Sequence, residues 1–254
     1  MTYNDIIDME IKYVSMFAKI EKNKFGYISY DVLQRDKYYH NYFHVLDFNK
    51  MTRDDIVLYQ TRYQDNGHVH FRFEQQPDHL HDALISYQKT INGYYLAHID
   101  EVMITHDDGI TIKKIDASIK QPFCHYLYLE NREYGEQFSI NNAIRQWDVL
   151  MKEPQYRYFY ALVAGQIVGS INATWQQSFA KIDDFTVLEH YRHRGIGSSL
   201  MAHAISFLKT QGIKFVYLVT DMNDTPRLMY EKWGYRYLSS CYHYIQVFPN
   251  SSKT

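Results

Sequence analysis

The sequence predicts a mixed α/β (α+β) chain in two parts, on three observations. Segments with apolar residues at helical spacing alternate with segments of period two throughout the 254 residues. Ile213–Thr220 is a near-continuous apolar run, the pattern of a strand buried on both faces. Asp116–Pro122 has no sustained period, and a chain of this length suits about one to two domains. Domains are therefore expected at 1–120 and 121–254.

In the first part, Ile6, Ile7, Met9, Val14, Phe17 and Ala18 recur at spacings near three and four, which predicts a helix over 5–22. An extended stretch follows at 42–48, then a helix over 52–63 closed by Asp65-Asn66-Gly67, and a strand over 68–73. Pro77-Asp78 opens a helix expected to run to Ile91 and stop at Asn92-Gly93. The strand 94–105 then turns at His106-Asp107-Asp108-Gly109 into 110–115. In the second part we expect a strand over 123–129, a helix over 135–151, and a hairpin of 157–163 and 166–173 turning at Ala164-Gly165. A strand over 180–188 and a helix over 198–211 ended by Gly212 follow. Thr225 as capping hydroxyl and Pro226 at the first helical position start a last helix that stops at Gly234, and 235–248 supplies closing strands.

Composition sets bounds on partners. Hydrophobic residues make up 46% and charged residues 22%, which provides a core and argues against disorder. Lys and Arg number 27 against 29 Asp and Glu, so no broad basic footprint for nucleic acid or an acidic membrane exists. Cys124 and Cys241 are too few for a disulfide framework, Asp5 and Asp8 stand where a signal peptide is basic, and no run of about 18 apolar residues occurs. A cytoplasmic protein is the expectation.

The informative segment is Asp183-Asp184-Phe185-Thr186-Val187-Leu188 followed by Arg192-His193-Arg194-Gly195-Ile196-Gly197-Ser198: strand, basic glycine loop, helix start. Successive N–H groups at a helix start converge on one point, the helix dipole adds positive potential, and glycines let phosphate oxygens come close. Arg192, His193 and Arg194 add side-chain charge, which favours a diphosphate over a neutral ligand. A Rossmann loop would need a third glycine near Leu200, and it is missing.

Here the chain resembles the GCN5-related N-acetyltransferase (GNAT) superfamily. Arg192, Gly195 and Gly197 match its Gln/Arg-x-x-Gly-x-Gly/Ala loop. Asn223, Tyr230, Gly234 and Tyr235 match its downstream Asn, helical Tyr and Gly-aromatic pattern, and the likeness covers about residues 123–248. The resemblance implies a mixed, mainly antiparallel sheet flanked by helices, with acetyl-CoA as cofactor. It further implies that the strand ending near Val187 splays from 213–220, that an N–H at Val187 or Leu188 meets the thioester oxygen, that Asn223 contacts the cofactor arm and that Tyr230 points at the sulfur. Pro226 and Tyr235 depart from the commoner Ala and Phe.

For the reaction, Tyr230, with an intrinsic pKa of about 10, suits proton donation to a thiolate. Asp183 and Asp184 alternate faces on one strand, so one of them is placed to accept the amine proton, with Asp184 favoured and Glu189 or His190 as substitutes. Neither cysteine shows an activating partner in the sequence, which favours direct transfer. His40-Asn41-Tyr42-Phe43-His44, His68-Val69-His70 and His79-Leu80-His81 invite a metal reading. The first lacks the Glu of paired-His zinc proteases, and a His-rich surface is the expectation, with no metal site. Tyr87 followed by Gly93-Tyr94 echoes Tyr230 and Gly234-Tyr235, so 1–120 is expected to be a degenerate acetyltransferase-like half that walls the acceptor cleft or forms a homodimer interface. The expected activity is N-acetylation of a small primary amine or amino-terminal group. The alternatives are a non-catalytic acyl-CoA sensor and a ligand-free scaffold, and fold alone does not name the acceptor.

Overall fold

A computed structural model describes residues 3–107 and 109–248, so Asp108 of the expected turn, like Met1 and Thr2, lies outside the described residues. In chain order the elements are α1 (Tyr3–Ser15), β1 (Lys19–Asn23), β2 (Gly26–Tyr30), β3 (Phe43–Val45), α2 (Arg53–Tyr63), β4 (His68–Phe73), α3 (His81–Leu84), β5 (Gln88–His98) and β6 (Thr111–Lys114). There follow α4 (Lys120–Asn131), α5 (Glu136–Lys152), β7 (Tyr156–Val163), β8 (Gln166–Gln176), β9 (Phe179–Val187), α6 (Ile196–Thr210), β10 (Phe215–Asp221), α7 (Pro226–Lys232) and β11 (Arg236–Val247).

The chain forms two compact units that interleave in sequence. One gathers Tyr94–Thr220, Thr225–Leu238 and the N-terminal residues through Met9; the other gathers Glu10–Gly93, Asp221–Asp224 and the residues from Ser239 on. The compositional break near residue 120 falls inside the first unit.

In the first unit β6, β7, β8 and β9 pair antiparallel in that order, and β10 joins parallel to β9. Successive residues of β7 face opposite helical layers, as a pleated strand requires. Tyr158 meets Phe123 of α4 at 5.1 Å between ring centroids, while Phe159 meets Phe207 of α6 at 5.1 Å. Leu200, Met201, Ala204, Ile205 and Leu208 bury the predicted stripe of α6.

In the second unit β1, β2, β3, β4 and β11 are neighbours, with only β3 and β4 parallel. Val69, Phe71 and Phe73 of β4 join a core with Phe43, Tyr59 and Leu84. The alternate residues His68, His70 and Arg72 are buried too.

Four expectations change. The helix over 5–22 ends at Ser15, because Lys19–Asn23 pairs with Gly26–Tyr30 as a hairpin. The helix over 77–91 shrinks to a 3-10 turn and the four residues of α3, and β5 runs straight through Asn92-Gly93. The strand over 123–129 is the helix α4: Phe123, Tyr126 and Leu127 lie three and four apart and are all buried, and Pro122 sits in the first turn, where its missing N–H costs nothing. Thr225 makes no capping bond through its side chain, so Pro226 alone marks the start of α7.

Candidate active site

The site is built where β9 and β10 part. Their parallel register runs from Phe215↔Phe179 to Leu218↔Ile182, and among the described residues it goes no further. Beyond that point β9 carries a bulge: the β8–β9 register shifts between Ser170 and Asn172, and Asp184 takes a left-handed backbone at φ +43°. Around this bulge Asp184 and Phe185 face opposite layers.

Asp184 faces α5 and β7. Its Oδ2 accepts from the Tyr158 hydroxyl and, at 3.3 Å, from Gln146 Nε2. Phe185 faces α6 and α7: its ring stands 6.5 Å from Tyr230 and 6.4 Å from Trp233 between centroids. Tyr230 is buried in that cluster, 6.1 Å from the Tyr235 ring. Burial pushes the Tyr235 phenol far above the ordinary tyrosine range.

The two acids are not equivalent. One carboxylate oxygen of Asp183 accepts the Asp184 N–H at 3.0 Å and the other pairs with Lys181 Nζ at 2.8 Å. Asp183 therefore braces the bulge. Glu189 and His190 lie exposed in a 3-10 turn.

The backbone likewise separates Val187 from Leu188. The Leu188 N–H already donates to Val168 O at 2.9 Å, so it is not available as an oxyanion donor. With Gly169 opposite Val187, antiparallel geometry turns the N–H and C=O of Val187 away from β8, toward the side where β10 has departed. Arg192 Nε reaches that carbonyl at 3.0 Å.

After the 3-10 turn the chain passes His193 at φ +60° and Gly195 at φ +77° before α6 begins, with no side-chain cap on the helix. The N–H groups of His193, Arg194, Gly195, Ile196, Gly197 and Ser198 have no protein partner among the described residues, as expected of a helix start left open for an anion. Arg192, His193 and Arg194 are exposed around it, and Arg194 lies 5.5 Å over the Tyr191 ring. A Cβ on Gly197 would stand 3.2 Å from Phe185 Cζ, so this glycine lets the first turn of α6 settle on the ring that also packs on Tyr230.

Asn223 belongs to the second unit, where it is exposed and its N–H donates to Asp221 Oδ1 at 2.8 Å. Of the histidines of that unit, His40, His44, His68, His70 and His243 are buried, which corrects the surface expectation for the first two groupings, whereas His79 and His81 are exposed. Among the described residues no group of three His, Cys, Asp or Glu is arranged to hold a metal. Cys241 does have a partner that its sequence position conceals, His243 Nε2 at 3.4 Å. Burial keeps that imidazole well below its usual pKa, so a neutral ring faces the fully enclosed Cys241. Cys124 is half-buried against the Ala143 carbonyl, and burial raises its pKa.

Residues 122–235 match the model of the acetyltransferase (GNAT) family. This segment is a GNAT acetyltransferase domain. The uncharacterized N-acetyltransferase CgeE of Bacillus subtilis (strain 168) is 29% identical over 80 residues, 30% of this chain and 31% of that protein, so the match spans less than a third of the relative's length. A functionally unknown conserved protein from Staphylococcus epidermidis ATCC 12228 superposes with a TM-score of 0.72 at 20% identity, covering 95% of this chain and 100% of the other. A GCN5-related N-acetyltransferase from Kribbella flavida gives 0.62 at 11% identity, covering 97% and 95%. These likenesses extend the shared fold over nearly the whole chain. Among the described residues no helix is long and apolar enough to cross a membrane.

The GNAT domain's own residues fit acetyl-CoA. A run of unpartnered amides, a basic rim and a strand edge that lacks its neighbour are the three features a diphosphate on an extended amide arm requires. Sequence reasoning did not foresee that Gln146, Tyr156 and Tyr158 gather at Asp184. The alternation in Tyr156-Arg157-Tyr158 puts both phenols on one face, but only the β7–β8–β9 register brings them toward Asp184.

Proposed function

We infer that the chain is an acetyl-CoA-dependent N-acetyltransferase that moves an acetyl group directly to a small primary amine or an amino-terminal group. The observation that carries the reading is the open row of amides from His193 to Ser198 beside the parting of β9 and β10. These amides, with Arg192 and Arg194, would hold the diphosphate, and the β9 edge would pair with the pantetheine arm. Bound acetyl-CoA supplies a thioester carbonyl that accepts an amine and a sulfur that leaves as thiolate.

The chain's residues divide the remaining work. The Val187 N–H, turned away from β8, meets negative charge building on the acyl oxygen. Asp184 accepts the proton that the amine loses. Tyr230 returns a proton to the sulfur, and solvent restores both groups. Asp184 and the Phe185–Tyr230 cluster lie on opposite faces of β9, which suits one group taking a proton and the other giving one. The enclosed Cys241 favours this direct route over an acyl-cysteine.

A thiol-release screen with acetyl-CoA over polyamines, aminoglycosides, amino acids and peptides tests the reading. We expect stoichiometric binding and turnover with at least one amine class. Binding without thiol release from any acceptor would instead make the protein an acyl-CoA sensor.

A further inference from the structure

We propose that Tyr158 and Gln146 are positioning residues that fix Asp184 as the proton acceptor, an inference that rests on the acetyltransferase reading. Asp184 occupies a left-handed backbone that a non-glycine residue adopts at a cost, in a bulge that interrupts the β8–β9 ladder. Two donors from different elements hold the carboxylate there. The Tyr158 hydroxyl comes from β7 and Gln146 Nε2 from α5, and both bond the same oxygen, Oδ2.

The orientation of Gln146 is itself determined. The Tyr156 hydroxyl donates to Gln146 Oε1, so the amide nitrogen must face Asp184. Gln146, Tyr156 and Tyr158 are all essentially inaccessible to water, which makes each of these bonds costly to leave unmade. The chain of donors runs one way, Tyr156 to Gln146 to Asp184, with Tyr158 joining at the end. Hydrogen bonds to a carboxylate favour its charged form, and two donors on one oxygen hold the Asp184 carboxylate in a single orientation. As the amine nitrogen forms its bond to the acyl carbon and the carbon–sulfur bond breaks, the amine proton passes to Asp184 and the thiolate takes the Tyr230 proton.

Tyr158→Phe and Gln146→Leu remove one donor each at nearly constant volume, with Asp184→Asn as reference. The readout is the pH profile of kcat/KM by thiol release, with the acceptor that gives turnover, alongside the KM for acetyl-CoA and a thermal melt. Losing a donor raises the Asp184 pKa, so the acidic limb should move to higher pH and kcat fall about tenfold, with the KM for acetyl-CoA unchanged. Limbs that superimpose on wild type, including in a variant with a lowered Tm, overturn the inference by reducing Tyr158 and Gln146 to packing, while loss of activity in Asp184→Asn leaves the reading standing. A wild-type protein that binds acetyl-CoA and releases no thiol with any amine overturns both.

Discussion

The ring of Tyr230 stands 6.5 Å from that of Phe185, the residue that follows the left-handed Asp184 in β9. Through that contact α7, the divergent end of β9 and the first turn of α6 meet at one aromatic cluster, because Phe185 also lies under Gly197. The phenol proposed as proton donor is thereby tied to the strand of the proposed base and to the helix start proposed to hold the diphosphate.

Tyr230→Phe keeps the ring and its packing on Phe185, Trp233 and Tyr235 while removing the hydroxyl. Turnover should fall on the order of a hundredfold, with acetyl-CoA affinity and Tm nearly unchanged. Steady-state thiol release beside calorimetry separates the two quantities; undiminished kcat would return Tyr230 to a packing role.

Gly197→Val forces a branched side chain onto a ring already 3.2 Å from the site of the Cβ. Overpacking of this kind costs about 1–3 kcal/mol. The variant should melt lower and bind acetyl-CoA more weakly, and Gly197→Ala should fall between it and wild type. A Val variant with wild-type Tm and affinity would show that Phe185 moves aside freely.

Arg192→Gln deletes a positive charge beside the open amides and the bond to Val187 O. CoA affinity should drop about tenfold at low salt, with a smaller difference at high salt, where exposed charges are screened. Titrations at two ionic strengths check this; a salt-independent loss would point to the Val187 bond rather than to the charge.

Stability should fall on acidification. Burial depresses the pKa of His68 and of His243, and that of His70 to about 3. The unfolded chain takes up these protons near pH 6.5 while the folded chain resists, so stability is fully present above about 6.5 and declines as pH falls toward the folded values. Each group contributes at most about 1.4 kcal/mol per pH unit. Urea unfolding at pH 7.5 and pH 5.5 should give a clearly lower midpoint at the acid value; equal midpoints would mean that these imidazoles are protonated in the folded chain.

The parts of the candidate site that are contiguous in sequence stand out in it. Arg192, Gly195, Gly197 and Tyr230 stand out through loop chemistry and helical position, and the amides of that loop have no protein partner among the described residues. What depends on strand register does not. Nothing in Asp183-Asp184 reveals that the first is taken up by Lys181 and its neighbour's N–H, or that the second turns to Tyr158 and Gln146, because a one-residue bulge decides both. In β4 the alternation His68, His70, Arg72 reads as a solvent face. It is an interior one, where His70 bonds His243 at 2.8 Å and Arg72 pairs with Glu10 at 2.8 Å. Alternation tells which residues share a face, not whether that face is covered. The misread α4 has the same origin: a short apolar run fits either period until its partners are known.

The most direct test is an amide-resolved NMR titration of the ¹⁵N-labelled full chain with acetyl-CoA. Saturable one-to-one shifts largest at His193–Ser198 and at Val187 are the predicted result. Binding that leaves those amides unmoved, or no binding at all, would contradict the account.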